Sequence, residues 1–100
     1  MGMRIEVREE GGFAGHIRRP PLVVETEDLE PGPARELEAL AAGLPAGGPG
    51  GRNRVGADLM RYDVLVDDAS GRRTATFFEP DVPPPVRALL KLARQAGRRA

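Results

Sequence analysis

Hydrophobic and polar residues alternate from Met3 to Glu9, with Met3, Ile5 and Val7 on one side and Arg4, Glu6 and Arg8 on the other. That two-residue period predicts a half-buried β-strand. Gly11-Gly12-Phe13-Ala14-Gly15 follows, a run of chain breakers that reads as a hairpin loop. The return strand spans Ile17 to Thr26, with Leu22 and Val24 on one face and Val23 on the other. Pro20 and Pro21 interrupt it. Proline has no N–H to give to a ladder, so the strand is expected at a sheet edge or bulged at that point.

The period then changes. After the connection Glu27 to Gly32, Leu37, Leu40, Ala41 and Leu44 fall at i, i+3, i+4 and i+7, one face of a helix. Pro31 and Pro33 suit its first turn, and Gly43 with Pro45 ends it. Ala46 to Gly56 is glycine-rich and polar and reads as a mobile loop, having little apolar surface to offset its ordering entropy. Alternation returns at Met60, Tyr62, Val64 and Val66, a third strand. Asp67-Asp68-Ala69-Ser70-Gly71 is turn chemistry, and Thr74 to Phe78 is a fourth strand. Asp81 to Pro85 opens a second helix, striped by Val86, Leu89, Leu90 and Ala93. The basic tail is expected to fray.

The order ββαββα, with short links between paired strands, predicts an α+β fold of two layers: a four-stranded antiparallel sheet backed by two helices. The two halves share a loose ββα plan, as any two such units would. The order of strands across the sheet is not readable from the pattern.

Composition narrows the function classes. A chain of 100 residues suits a single domain, assigned here to 1–95 with 96–100 as the frayed tail. There is no cysteine, which excludes disulfides, thiolate metal sites and cysteine nucleophiles. Fifteen basic residues balance fifteen acidic ones, and the signs are interleaved. That balance argues against a nucleic-acid module, which carries a basic excess or stripe. No apolar run approaches the ~20 residues of a membrane helix, and the start shows no signal-peptide core. A cytoplasmic monomer without cofactor or membrane partner is the expectation.

Groups able to do chemistry are sparse. His16 is the only histidine and cannot supply a His-rich zinc sphere; it reads as a solvated strand residue. Ser70 is the only serine and lacks the G-x-S-x-G elbow of a nucleophile. Asp67 and Asp68 fit local turn hydrogen bonds better than a metal site. The glycines at 47, 48, 50 and 51 follow a helix and precede a strand without a lysine, the reverse of a phosphate loop. Arg18, Arg19, Arg52, Arg54, Arg72 and Arg73 are the residues for an alternative reading as an arginine-rich adaptor or nucleic-acid binder. Phe13, Tyr62, Phe77 and Phe78 do not make an evident base-stacking platform beside them. Few catalytic groups and two unusual loops suit a non-enzymatic binding protein.

Three segments, in order, resemble the emfourin family of proteinaceous inhibitors of protealysin-like, thermolysin-type metalloproteases. The first is the strand from Met3 through the Gly11-Gly12-Phe13-Ala14-Gly15 turn. The second is Glu25-Thr26-Glu27-Asp28-Leu29-Glu30-Pro31 leading into Glu36-Leu37-Glu38-Ala39-Leu40. The third is Ala57-Asp58-Leu59-Met60-Arg61-Tyr62-Asp63-Val64 with the acidic turn and Pro-rich helix start after it. The chain has Met60 where the family often has an aromatic residue, and a long glycine-rich segment before Asp58. The resemblance implies a protein that blocks the cleft of a zinc metallopeptidase of the thermolysin type. It makes Glu10, Gly11, Gly12, Phe13, Ala14 and Gly15, with Asp58, Leu59 and Met60, the candidate contact residues on one edge. Phe13 would be the apolar anchor, and Asp58 first, Glu10 second, the carboxylates to reach the target's zinc. By residue type alone, Phe13 also fits folding back onto the sheet and Asp58 also fits capping a turn.

Overall fold

The computed structural model describes residues 2–11, 17–18, 20–44, 60–79 and 81–99. Its strands are β1 (Arg4–Gly11), β2 (Ile17–Arg18), β3 (Leu22–Glu25), β4 (Arg61–Asp68), β5 (Gly71–Phe78) and β6 (Arg98–Arg99). Its α-helices are α1 (Pro31–Ala42) and α2 (Pro84–Ala96). Across the sheet the order is β5-β4-β1-β3-β6, with β2 pairing β1 beyond the end of β3. Every pairing is antiparallel.

The alternation of β1 decides its place. Ile5 and Val7 are fully buried while Arg4 and Arg8 are exposed. Its neighbours present apolar residues at matching positions: Val24 and Val66 flank Ile5, and Leu22 and Val64 flank Val7. β5 continues the rows with Ala75 beside Val64 and Phe77 beside Tyr62. Against this face lie Leu37 and Ala41 of α1 and Val86, Leu89, Leu90 and Ala93 of α2, all buried. Each fully buried Val or Leu contributes about 1.5–3 kcal/mol to holding the two layers together. Both helices begin on prolines, whose missing N–H falls in a first turn that has no intrahelical use for it.

The prolines of the return strand produce the predicted bulge. From Arg18 to Leu22 the return strand advances 22 − 18 = 4 residues, while β1 advances 10 − 7 = 3, from Glu10 to Val7. The extra residue falls between Arg18 and Leu22, the stretch that holds Pro20-Pro21 and separates β2 from β3.

The expected four-stranded sheet is corrected: it is five strands wide. After Ala96 the chain does not leave the domain as the expected frayed tail. It turns at Gly97, and Arg98 and Arg99 pair with Val23 and Leu22 of β3. Gly97 makes the turn possible, because a Cβ there would lie 2.6 Å from the Ala93 carbonyl oxygen and 2.8 Å from a Val24 methyl. β3 is therefore an interior strand over its first half, and β6 forms the edge.

Candidate functional site

The register brings the described ends of the two expected contact segments, Glu10-Gly11 and Met60, to the same end of the sheet. Glu10 lies opposite Arg61 in the β1–β4 ladder. Gly11, the last residue of β1, has a φ of 136°, a conformation that residues with a side chain rarely adopt. It pairs with Ile17. Met60 directly precedes β4; it is half-buried against the core, and its carbonyl accepts the Glu79 amide at 3.0 Å. Of the candidate contact residues, the structure thus places Glu10, Gly11 and Met60 together. Gly12, Phe13, Ala14, Gly15, Asp58 and Leu59 lie outside the described residues, as does His16.

Glu10 is half-exposed and stands 3.9 Å from Arg61, which also holds Asp63 through two hydrogen bonds of 3.0 and 3.2 Å. Asp63 accepts a further bond from the Thr76 hydroxyl at 2.7 Å. The outward side of this end is thus a chain of paired charges.

The inward side holds a group that sequence reasoning missed. Glu9 continues the Ile5–Val7 face, and it is only 3% exposed. Its two oxygens accept hydrogen bonds from Arg94 of α2 at 2.8 Å and Arg99 of β6 at 3.0 Å. Arg99 also donates to the Pro20 carbonyl at 3.1 Å, tying β6 to the bulge. Burial pushes the Glu9 carboxyl up, but the hydrogen bonds and charges of the two arginines outweigh it and hold the group below its ordinary range. The only signal in the sequence was a charge at a core-facing step of the alternation.

A second cluster lies beside it. The Tyr62 hydroxyl donates to Glu79 at 3.0 Å, and Arg87 donates to the same carboxylate at 2.8 and 3.3 Å. Burial first, and then the neighbouring Glu79, raise the Tyr62 phenol. The Arg87 hydrogen bond is the leading cause that keeps Glu79 below its ordinary range. The two clusters fix β1, β4, α2 and β6 to one another at the end of the sheet that carries Glu10, Gly11 and Met60.

These groups are built for bracing. The buried carboxylate is neutralised by two cations that stay charged, so it has no proton to exchange near neutral pH. Among the described residues no group of three or more His, Asp or Glu side chains can hold a metal ion. Ser70 donates to Asp68 at 2.6 Å within the β4–β5 turn, and the Ser70 amide donates to the same carboxylate, the local role expected for that aspartate. On the outer sheet face a cleft of about 350 Å³ is walled by Arg4, Glu6, Arg8, Leu65, Asp67 and Arg72, largely charges already paired with one another.

The arginine-rich reading loses ground on the same geometry. Arg72 and Arg73 are successive residues of β5 and point to opposite faces. Arg72 pairs with Asp67 and Arg73 with Asp68. The side chains of Arg18, Arg19, Arg52 and Arg54 lie outside what is described. No helix among the described residues is long and apolar enough to cross a membrane.

The family model described as Emfourin matches residues 7–94. No curated protein and no solved structure matches the chain.

Proposed function

Because the chain belongs to the Emfourin family, we propose that it is a proteinaceous inhibitor of a thermolysin-type, protealysin-like zinc metalloprotease and that it blocks the active-site cleft with two adjacent loops. Membership of the family suggests a metalloprotease-inhibitor role. The observation that supports the two-loop reading is the pairing of Glu10 with Arg61, which sets the exit of one loop at Gly11 beside the end of the other at Met60.

The chemistry of such a block is simple. A catalytic zinc keeps one coordination position open for water or substrate. A carboxylate carried on a loop takes that position, while an apolar side chain fills a neighbouring substrate pocket. Asp58 is the first choice for the carboxylate. Glu10 is second, since reaching a metal would cost it the Arg61 partner at 3.9 Å. Phe13 is the apolar anchor, and Leu59 and Met60 extend the apolar contact. Loops held on a rigid base lose less conformational freedom on binding, and the Glu9 and Glu79 clusters supply that base.

The test is a titration of a thermolysin-type peptidase with the purified chain, followed with a fluorogenic peptide. Stoichiometric, slowly reversed inhibition is expected. The double variant Phe13→Ala/Asp58→Ala is expected to weaken it by about a hundredfold or more, the cost of two interface hot spots. An unchanged double variant would refute the contact edge, and a chain that leaves the peptidase fully active at micromolar concentration would refute the inhibitor reading itself.

A further inference from the structure

The two edges of the sheet are finished differently. β6 is only two residues long, and both are arginines, the kind of short charged edge that discourages further pairing. β5 is eight residues long, with no proline, and its ladder with β4 runs without a bulge from Gly71 to Phe78. Its sequence from Thr74 to Phe78 is uncharged and made of residues that favour strands, apart from Ala75. The two arginines at its start are paired back toward β4, Arg72 with Asp67 and Arg73 with Asp68. Among the described residues nothing pairs with the outer side of β5.

The hydrogen-bond phase shows which groups face outward. The Glu79 amide bonds to the Met60 carbonyl, in step with Phe78 opposite Arg61. In an antiparallel ladder the bonding residues alternate, so Phe77, Ala75 and Arg73 bond to β4. The main-chain groups of Arg72, Thr74, Thr76 and Phe78 face away from it, except that the Phe78 carbonyl accepts the Asp81 amide.

We propose that the β5 edge is a self-association surface that takes the β5 strand of a second copy of this chain, antiparallel and centred on Ala75. That register is complementary to itself. Thr74 and Thr76 exchange both main-chain bonds with Thr76 and Thr74 of the second copy, and their side chains pair on the outer face. Arg72 falls opposite Phe78 and Arg73 opposite Phe77, so no like charges face each other. The two sheets join into one. Because the strands are antiparallel, the ends of the two sheets that carry Gly11 and Met60 point in opposite directions. This surface goes beyond the proposed inhibition and does not depend on it.

The experiment is sedimentation of the full chain across about 1 μM to 1 mM. Reversible conversion to twice the mass of one chain is expected as concentration rises. Thr74→Pro removes an outward N–H while leaving the β4 ladder intact, because that amide takes no part in it. It is expected to keep the circular dichroism spectrum and to raise the dimer dissociation constant about thirtyfold, from two lost main-chain bonds per dimer. A second variant keeps the test independent of proline tolerance. The chain has no cysteine, so Ala75→Cys can form a disulfide only between copies. At a non-hydrogen-bonded pair the Cα atoms stand about 4.5 Å apart, within disulfide reach. Oxidative cross-linking of Ala75→Cys supports the register. A wild-type chain that remains monomeric at millimolar concentration overturns the proposal, whatever else the edge binds. A folded Thr74→Pro variant that dimerises as well as the wild type overturns it too.

Discussion

Replacing Glu9 by glutamine keeps the shape of the side chain and removes its charge, which makes it a direct probe of the brace under the loops. Glu9 is 3% exposed and accepts bonds of 2.8 Å from Arg94 and 3.0 Å from Arg99. Glutamine has one acceptor oxygen, so it satisfies one guanidinium and turns its own NH2 toward the other. Losing a hydrogen bond to a charged group costs about 1.5–3 kcal/mol. The heavier penalty for an orphaned buried charge, about 3–5 kcal/mol, does not apply in full. The side chains of Arg94 and Arg99 are 46% and 35% exposed and can turn to water. We expect Glu9→Gln to destabilise by about 2 kcal/mol, a fall in Tm of roughly 10 °C for a domain of this size. Urea denaturation of wild type, Glu9→Gln, Arg99→Ala and the double variant measures it. The cycle should give a coupling of about 1 kcal/mol between Glu9 and Arg99. The pH dependence has a definite sign. The folded state holds Glu9 below its ordinary value of 4.5, so its contribution is complete above that value and is lost as pH falls through the folded one. The advantage of wild type over Glu9→Gln should therefore be constant at neutral pH and shrink below about pH 4.5. A difference under about 0.5 kcal/mol at pH 7, or one that does not change in acid, would refute the brace.

Two further substitutions test neighbouring parts of the same end. Gly97→Ala drives a methyl group against the Ala93 carbonyl and Val24, and should cost about 1–3 kcal/mol by thermal melts, with faster amide exchange at Val23 if β6 detaches. Tyr62→Phe removes the 3.0 Å bond to Glu79, which keeps Arg87, so about 1 kcal/mol is expected at pH 7. The raised Tyr62 phenol gives wild type stability that is full below the unfolded value of about 10 and declines as pH rises beyond it, so the two proteins should converge in alkali.

What the sequence made readable was local. The strand at Met3–Glu9, the bulge at Pro20-Pro21, the turn role of Asp68 and both helical stripes depend on neighbours a few residues apart, and the structure has each of them. What stayed hidden depends on contacts between distant segments. Glu9 reads as one more polar residue until Arg94 and Arg99, 85 and 90 positions later, are brought to it. β6 is too short to carry any alternation, and its arginines read as a solvated tail. Strand order rests on β1 pairing with β4, a choice made between two hairpins whose patterns are equally compatible with several arrangements. The candidate contact edge was partly readable, since the family resemblance named the segments. Only the register of Glu10 with Arg61 sets their described bases side by side.

The direction of β6 has a practical side. β1 runs from Arg4 toward the loop-bearing end, whereas β6 runs from Arg98, opposite Val23, to Arg99, opposite Leu22, and so also heads toward that end. Anything fused after Arg99 is delivered at the end of the sheet that carries Gly11 and Met60, and anything fused ahead of Met3 departs from the opposite end. Affinity handles, fluorophores and surface-coupling groups therefore belong ahead of Met3. A handle on the other side would pull on the arginine that grips Glu9.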